Sequence, residues 1–330
     1  MFSNISAPHP LTGMRGAMST NKLESMKKSF LYIFAALAMS SAVSCQKSVP
    51  SGEESEVSIA VNLPAGLSTR SVGDGMTATE LYYGVFSQDG SYLEGLAQKS
   101  PVDVVGGTAT VKLQLVRNYT YSIVFWAQAP DAPYTFDAET GVVTVDYAGD
   151  ANDESRDAFC RLHTFTVPDR ATIDEEVVLT RPFAQINFGS SDFAQVDELG
   201  LAMESTVAIS GLADTYSIIE GTISGDASTD LELSTVPAQF DPADTLVVKG
   251  QDYGYVSMNY ILAPEQEREL ANVHATFSYN GSSVALDVPN VPFRRNWRTN
   301  IVGSFFTEQV TLDIIVDNEF NTPDFVVPGK

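Results

Sequence analysis

The chain has 330 residues, 42 acidic against 19 basic, for a formal charge of -23, with 44% hydrophobic and 18% charged side chains. That acidity argues against nucleic acid or an anionic bilayer surface as a partner, because neutralising phosphates takes clustered Lys and Arg. Two cysteines are too few for a disulfide scaffold or a Cys-rich zinc site, and the length suits roughly two domains.

The first 44 residues read as address, not fold. Residues 1–25 belong to no signal pattern, so the expected start is Met26, and residues 26–44 form the signal. Met26-Lys27-Lys28 gives a positive n-region, and Phe30 to Met39 a short apolar h-region. It falls short of the roughly 20 residues a membrane span needs. Small residues then lead into Cys45, as in a bacterial lipoprotein signal, although Ala42 stands where Leu is usual. On this reading Cys45 becomes the acylated, palmitate-bearing N-terminus; the alternative is an ordinary cleaved signal with Cys45 as a spare thiol. Removing residues 1–44 takes away Arg15, Lys22, Lys27, Lys28 and Glu24, which leaves 286 residues at -26. Residues 45–56 are then a polar, Ser-rich tether. Once Cys45 carries lipid, Cys160 has no partner in the chain; burial as a small hydrophobe is favoured over a reactive thiol.

From Val57 onward the dominant period is two. Val57, Ile59, Val61 and Leu63 alternate with smaller or polar residues, as do Ala109 to Leu115, Tyr119 to Ala127 and Val256 to Leu262. Each run predicts a half-buried strand of an antiparallel sheet. His274 to Tyr279, Asn280-Gly281 and Ser282 to Val288 predict a hairpin, since Asn-Gly supplies the positive φ values of a type I′ turn. Only Asn152 to Leu162 looks helical, with Asp153 as a possible N-cap. Many strands with almost no helix predict an all-β protein of two tandem antiparallel sandwiches, 57–179 and 180–330, with the joint near Thr180.

Signatures of chemistry are thin. No zinc-protease, nucleophile-elbow, P-loop or dinucleotide pattern is present, and no cofactor or metal is implied. His163 and His274 fall in predicted strands and read as ordinary strand residues. The carboxylate surplus fits an acidic surface better than a glycosidase pair. Asp146 to Glu154 has oxygen enough for Ca²⁺ but lacks the order of a calcium loop. Trp126 and Trp297 are candidates for stacking on sugar rings, with core packing favoured for Trp126. Trp297 stands among Arg294, Arg295 and Arg298, the one basic cluster, which suits either an acidic loop within the fold or an acidic face of a neighbouring copy.

Several of these features line up with one family. The lipoprotein signal, the strand Val57 to Leu63 followed by Ser68-Thr69-Arg70-Ser71, the mid-chain Thr180-Arg181-Pro182-Phe183-Ala184-Gln185-Ile186-Asn187-Phe188, and Arg295-Asn296-Trp297-Arg298-Thr299-Asn300-Ile301-Val302-Gly303 resemble the fimbrillin-like lipoproteins of Bacteroidales, which include type V pilins. Arg156-Asp157-Ala158-Phe159 is also familiar from such proteins. The resemblance implies two transthyretin-like, Greek-key sandwiches and a non-enzymatic fimbrial or adhesin subunit, lipid-anchored at the outer membrane, with pilin-like subunits or itself as partners. In the family's shaft pilins a trypsin-like protease cuts after an Arg, the first strand leaves, and another subunit's C-terminal strand fills the groove. Carried over, Arg70 and Ser71 flank the cut, Val57–Leu63 is the removable strand, and Val310, Leu312, Ile314 and Val316 belong to the donor. The tail after Val316 is short and holds two prolines, a departure that weakens strand extension. A surface glycan-binding lipoprotein, using Trp126 or Trp297, is the alternative expectation.

Overall fold

The computed structural model describes residues 50–64, 75–148, 154–193, 203–236, 245–279, 281–306 and 310–317, all within one compact unit, Lys47–Lys330. The expected signal, Cys45 and the Arg70-Ser71 bond lie outside the described residues.

The first stretch supplies β1 (Glu54–Asn62), β2 (Glu80–Ser87), β3 (Val102–Asp103), β4 (Thr108–Val116), β5 (Thr120–Gln128), β6 (Tyr134–Asp137), β7 (Val142–Val145), β8 (Phe159–Thr166) and β9 (Thr172–Val178). A three-stranded sheet, β4-β1-β9, packs on a four-stranded sheet, β3-β2-β5-β8. Period-two alternation is what makes this possible, because every second side chain points to one face. Val57, Ile59 and Val61 of β1 meet Leu81 and Val85 of β2 and Ile123 and Phe125 of β5 in a single apolar core.

The second stretch supplies β10 (Phe183–Ser190), β11 (Met203–Leu212), β12 (Thr215–Ser217), β13 (Thr222–Ser224), β14 (Ala227–Val236), β15 (Thr245–Val248), β16 (Gln251–Leu262), β17 (Arg268–Tyr279), β18 (Ser282–Phe293), β19 (Arg298–Ser304) and β20 (Thr311–Asp317). A five-stranded sheet, β15-β16-β10-β19-β20, packs on a four-stranded one, β14-β11-β17-β18. Phe188 from one sheet meets Phe277 from the other edge-on at 5.5 Å, and Phe305 stacks on Phe277 at 5.7 Å. The expected hairpin forms in register, with Tyr279 opposite Ser282 and Gly281 at φ 74°. The protein is all-β, as the alternation predicts.

Two features depart from the sequence reading. The helix expected over Asn152 to Leu162 is absent from its described part, 154–162: Glu154–Arg156 is a single 3-10 turn, and Phe159 to Leu162 already belong to β8, while Asn152 and Asp153 lie outside the described residues. The charged run mimics a helix N-terminus, but pairing with β5 and burial of Phe159 and Cys160 override that local preference. A small sheet, β13-β12-β7-β6, also draws strands from both sides of Thr180, with Tyr216 of β12 directly opposite Val143 of β7. The two sandwiches therefore share a sheet.

Candidate functional site: the central strand of the first sandwich

β1 is the middle strand of its sheet. It runs antiparallel to β4 over nine residue pairs and parallel to β9 over seven. Its inward side chains, Ser55, Val57, Ile59 and Val61, are almost wholly removed from water. Backbone bonds extend this grip past the strand's end: Leu63 N donates to Gly107 O at 2.8 Å, and Leu179 N to Asn62 O at 2.9 Å. At the other end Arg117 reaches Glu53 at 2.9 Å, Asp169 at 3.4 Å and the Ser55 hydroxyl at 3.2 Å. On the outward face Asn62 spans the sheet, donating to Glu176 Oε1 at 3.0 Å and accepting from the Thr108 hydroxyl at 2.9 Å. Among a surplus of carboxylates, nothing in the sequence singles out Glu176; only its position beside β1 does.

β20 occupies an outer position. Among the described residues it pairs with β19 alone, from Ser304 opposite Thr311 to Arg298 opposite Asp317. Gly303 lets β20 approach, since a Cβ there would stand 1.9 Å from the Thr311 carbonyl oxygen. Val310 and Leu312 are 49% and 41% exposed, large apolar side chains left at a sheet edge.

The motif residues around Thr180 prove to be structural partners. Arg181, fully buried, makes a bidentate pair with Asp157 at 2.7 and 2.8 Å and lies 4.7 Å above the Phe159 ring. Arg156 donates to the carbonyls of Asp146 at 3.1 Å and Ala148 at 2.9 Å, while Tyr134 donates its hydroxyl to the Arg156 carbonyl. On β10 and β19 the amides of Gln185, Asn187 and Asn300 link in a buried row, Asn187 donating at 3.0 and 2.9 Å. Asp192 closes the end of that sheet. It accepts from Ser190, from the Ser304 hydroxyl at 2.6 Å, and from the amides of Phe305 and Phe306 at 3.0 Å each. Burial raises its pKa, but hydrogen bonds from Ser190, Ser304 and the two amides outweigh that and bring it down to about 2.

The remaining candidates separate cleanly. Trp126 is fully buried, edge-on to Tyr134 at 5.5 Å and Phe183 at 6.3 Å, with its indole N–H donated to Gln128 at 2.6 Å. Neither of its faces can receive a sugar, so that glycan-stacking assignment is corrected to core packing. Trp297 is half-buried with the Arg294 guanidinium 5.5 Å from its ring. Within the basic cluster, the exposed Arg294 donates to the Glu265 carbonyl at 2.7 Å, and Arg295 donates to the Gly221 carbonyl at 3.2 Å while lying over Tyr216. Cys160 is buried, and burial pushes its thiol up to about 12 despite nearby Arg295 and a hydrogen bond with Tyr216.

His163 sits 3.5 Å from Glu175 and stacks on Phe165. His274 stands 2.8 Å from Asp287 and 3.4 Å from the Thr276 hydroxyl, in the order of a catalytic triad. The two ionisable side chains are 44% and 70% exposed, and catalysis of that kind depends on a water-excluded site. Hydrogen bonds from His274 and then Asn272 lower the Asp287 pKa. Among the described residues, no group of three or more His, Cys, Asp or Glu side chains could hold a metal ion.

Among the described residues, two sandwiches with β1 central in its sheet and β20 at the edge of another make up the fold, and solved structures share it. It is similar to that of a candidate cell-adhesion protein from Bacteroides uniformis, at 12% identity over 79% of this chain and 97% of the other, with a TM-score of 0.51. Also similar are the C-terminally truncated tip fimbrial protein Mfa3 of Porphyromonas gingivalis (11% identity, 80% and 99% of the two chains, TM-score 0.46) and a fimbrial assembly protein from Parabacteroides distasonis (14%, 80% and 99%, 0.41). At such identities the likeness is one of fold. Residues 48–327 match the family of unknown function DUF6562, and the chain belongs to that family. No curated protein matches it.

Proposed function

We propose that the protein is a non-enzymatic cell-surface subunit of a fimbrium or adhesin, brought to the outer membrane through acylated Cys45 and freed from that anchor by a cut after Arg70, in which β1 is then exchanged for a strand from another subunit. The observation that carries this reading is the place of β1. It is an N-terminal strand in the middle of a sheet, and the residues that join it to β2 include Arg70-Ser71. A cut there leaves β1 held by pairing and packing alone. Its loss uncovers two strand edges and the seats of Val57, Ile59 and Val61, and an added strand repairs both defects at once. Val310, Leu312, Ile314 and Val316 are the apolar set a C-terminal donor would offer, from a strand that pairs with β19 at the edge of its sheet among the described residues.

Mass spectrometry of the native N-terminus is the test. A mature form beginning at Ser71, in oligomers that persist in mild detergent, is the expected result. A chain found only as acyl-Cys45 monomer, whose recombinant form neither oligomerises nor takes up a strand peptide after cutting at Arg70, would end the strand-exchange reading.

A further inference from the structure

The strand-exchange reading, on which this inference rests, leaves open which strand the β1 position accepts. The outward face of the first sheet bears on that. There Ala60 lies directly between Thr110 of β4 and Glu176 of β9, and Asn62 is the residue whose amide joins Thr108 to Glu176 at 2.9 and 3.0 Å. One carboxylate thus borders two consecutive outward positions, occupied by a small neutral residue and an amide. We propose that Glu176, seconded by Thr108, is the specificity determinant of the β1 position. It admits a strand with a neutral or basic residue at Ala60's place and an amide at Asn62's, and disfavours the chain's own β20. A donor strand of that kind from a different chain is therefore preferred over a second copy of this one.

The argument comes from laying β20 into the position. With Val310, Leu312, Ile314 and Val316 in the seats of Val57, Ile59, Val61 and Leu63, all four inward positions stay apolar. The middle outward position then falls to Asp313 whichever way the strand runs, because it is the midpoint of both sets. Asp313 would lie directly opposite Glu176, a like-charge pair that destabilises a sheet. Asn62's place would go to Ile315 or, in the reverse direction, Thr311, and neither carries an amide. Lys112 offers little relief, for it stands one pair further along, opposite Ser58, where Asp174 already flanks the strand. Sliding β20 two residues in β1's direction is no better. Asp317 then takes Asn62's place within reach of Glu176, and Asn318 enters the buried seat of Leu63.

The experiment has two arms. In the uncut mature chain, Ala60→Asp should raise the unfolding equilibrium constant about two- to fivefold more when Glu176 is present than in a Glu176→Gln background. In a chain nicked within residues 65–74 at an inserted protease site, three peptides compete for the position: residues 54–63, residues 309–318, and the latter with Asp313→Asn. The neutralised peptide should bind about two- to fivefold more tightly than its parent, and Glu176→Gln should close that gap. Additive effects in the first arm, or equal binding of parent and Asp313→Asn peptides in the second, would overturn the assignment. If the nicked chain refuses even the 54–63 peptide, strand exchange itself is wrong, and the first arm still decides whether Glu176 discriminates.

Discussion

Arg181 and Asp157 form an ion pair with both side chains fully withdrawn from water. A buried pair stabilises little relative to a well-packed apolar one, because desolvation offsets most of the attraction, but removing one partner strands the other charge. Arg181→Ala should therefore cost about 3–5 kcal/mol in urea unfolding, whereas Arg181→Met combined with Asp157→Leu should recover most of it. A single variant no worse than the double would show that the charges do not depend on each other. Asp192 makes a related prediction along the pH axis. Its folded pKa, about 2, lies below the ordinary carboxylate value, so its contribution is full above pH ~4 and is lost as pH falls towards 2. Asp192→Asn should lower stability at neutral pH and flatten the acid limb between pH 4 and 2. Thermal melts across that range provide the check.

At the scale of elements, what matters is which sheet edges are closed. The outer edge of β2 is covered piece by piece. β3 pairs with Glu80 and Leu81, Gln98 takes the next turn with its side chain, and Leu93 N donates to Val85 O at 2.8 Å. Gln98 acts as a one-residue strand, donating to Leu81 O at 2.8 Å and accepting from Tyr83 N at 2.7 Å. Gln98→Leu should leave both backbone groups without that partner, at a cost of about 1–3 kcal/mol, and speed exchange of the Tyr83 amide. An unchanged protection factor at Tyr83 would refute the capping role. Alternation makes β1, β4 and the β17–β18 hairpin legible in the sequence, each with one buried face, and β5 and β16 keep a legible alternation although both of their faces are buried over much of their length. β10 shows no clean alternation of apolar and polar side chains, since Gln185 and Asn187 point to a face that is buried as well. The β7–β12 pairing was not legible at all, because three residue pairs joining distant segments leave no periodic trace. Glu176 and Asp192 are hidden for a different reason. In a chain with 42 acidic residues, one carboxylate is distinguished from the next only by what the fold brings beside it.

For the molecule as a whole, the shared sheet raises the question of whether the two sandwiches open independently. Cys160 reports on this. It lies opposite Trp126 in the β5–β8 ladder, exchanges backbone bonds of 2.9 and 3.0 Å with Thr180, and contacts Tyr216 on β12 of the shared sheet. A thiol buried at that meeting point, with its pKa pushed up to about 12, reacts only when the elements above it part. If β12 and β8 separate only on global unfolding, labelling of Cys160 by a disulfide reagent, in a Cys45→Ser chain, should be at least about a thousandfold slower than for a free thiol. Its rate should also rise with denaturant along the slope of global unfolding. A shallower slope would mean that the first sandwich can swing away from the shared sheet. That result would count against a joint rigid enough to pass tension from one sandwich to the next, as a subunit within a fimbrium has to do.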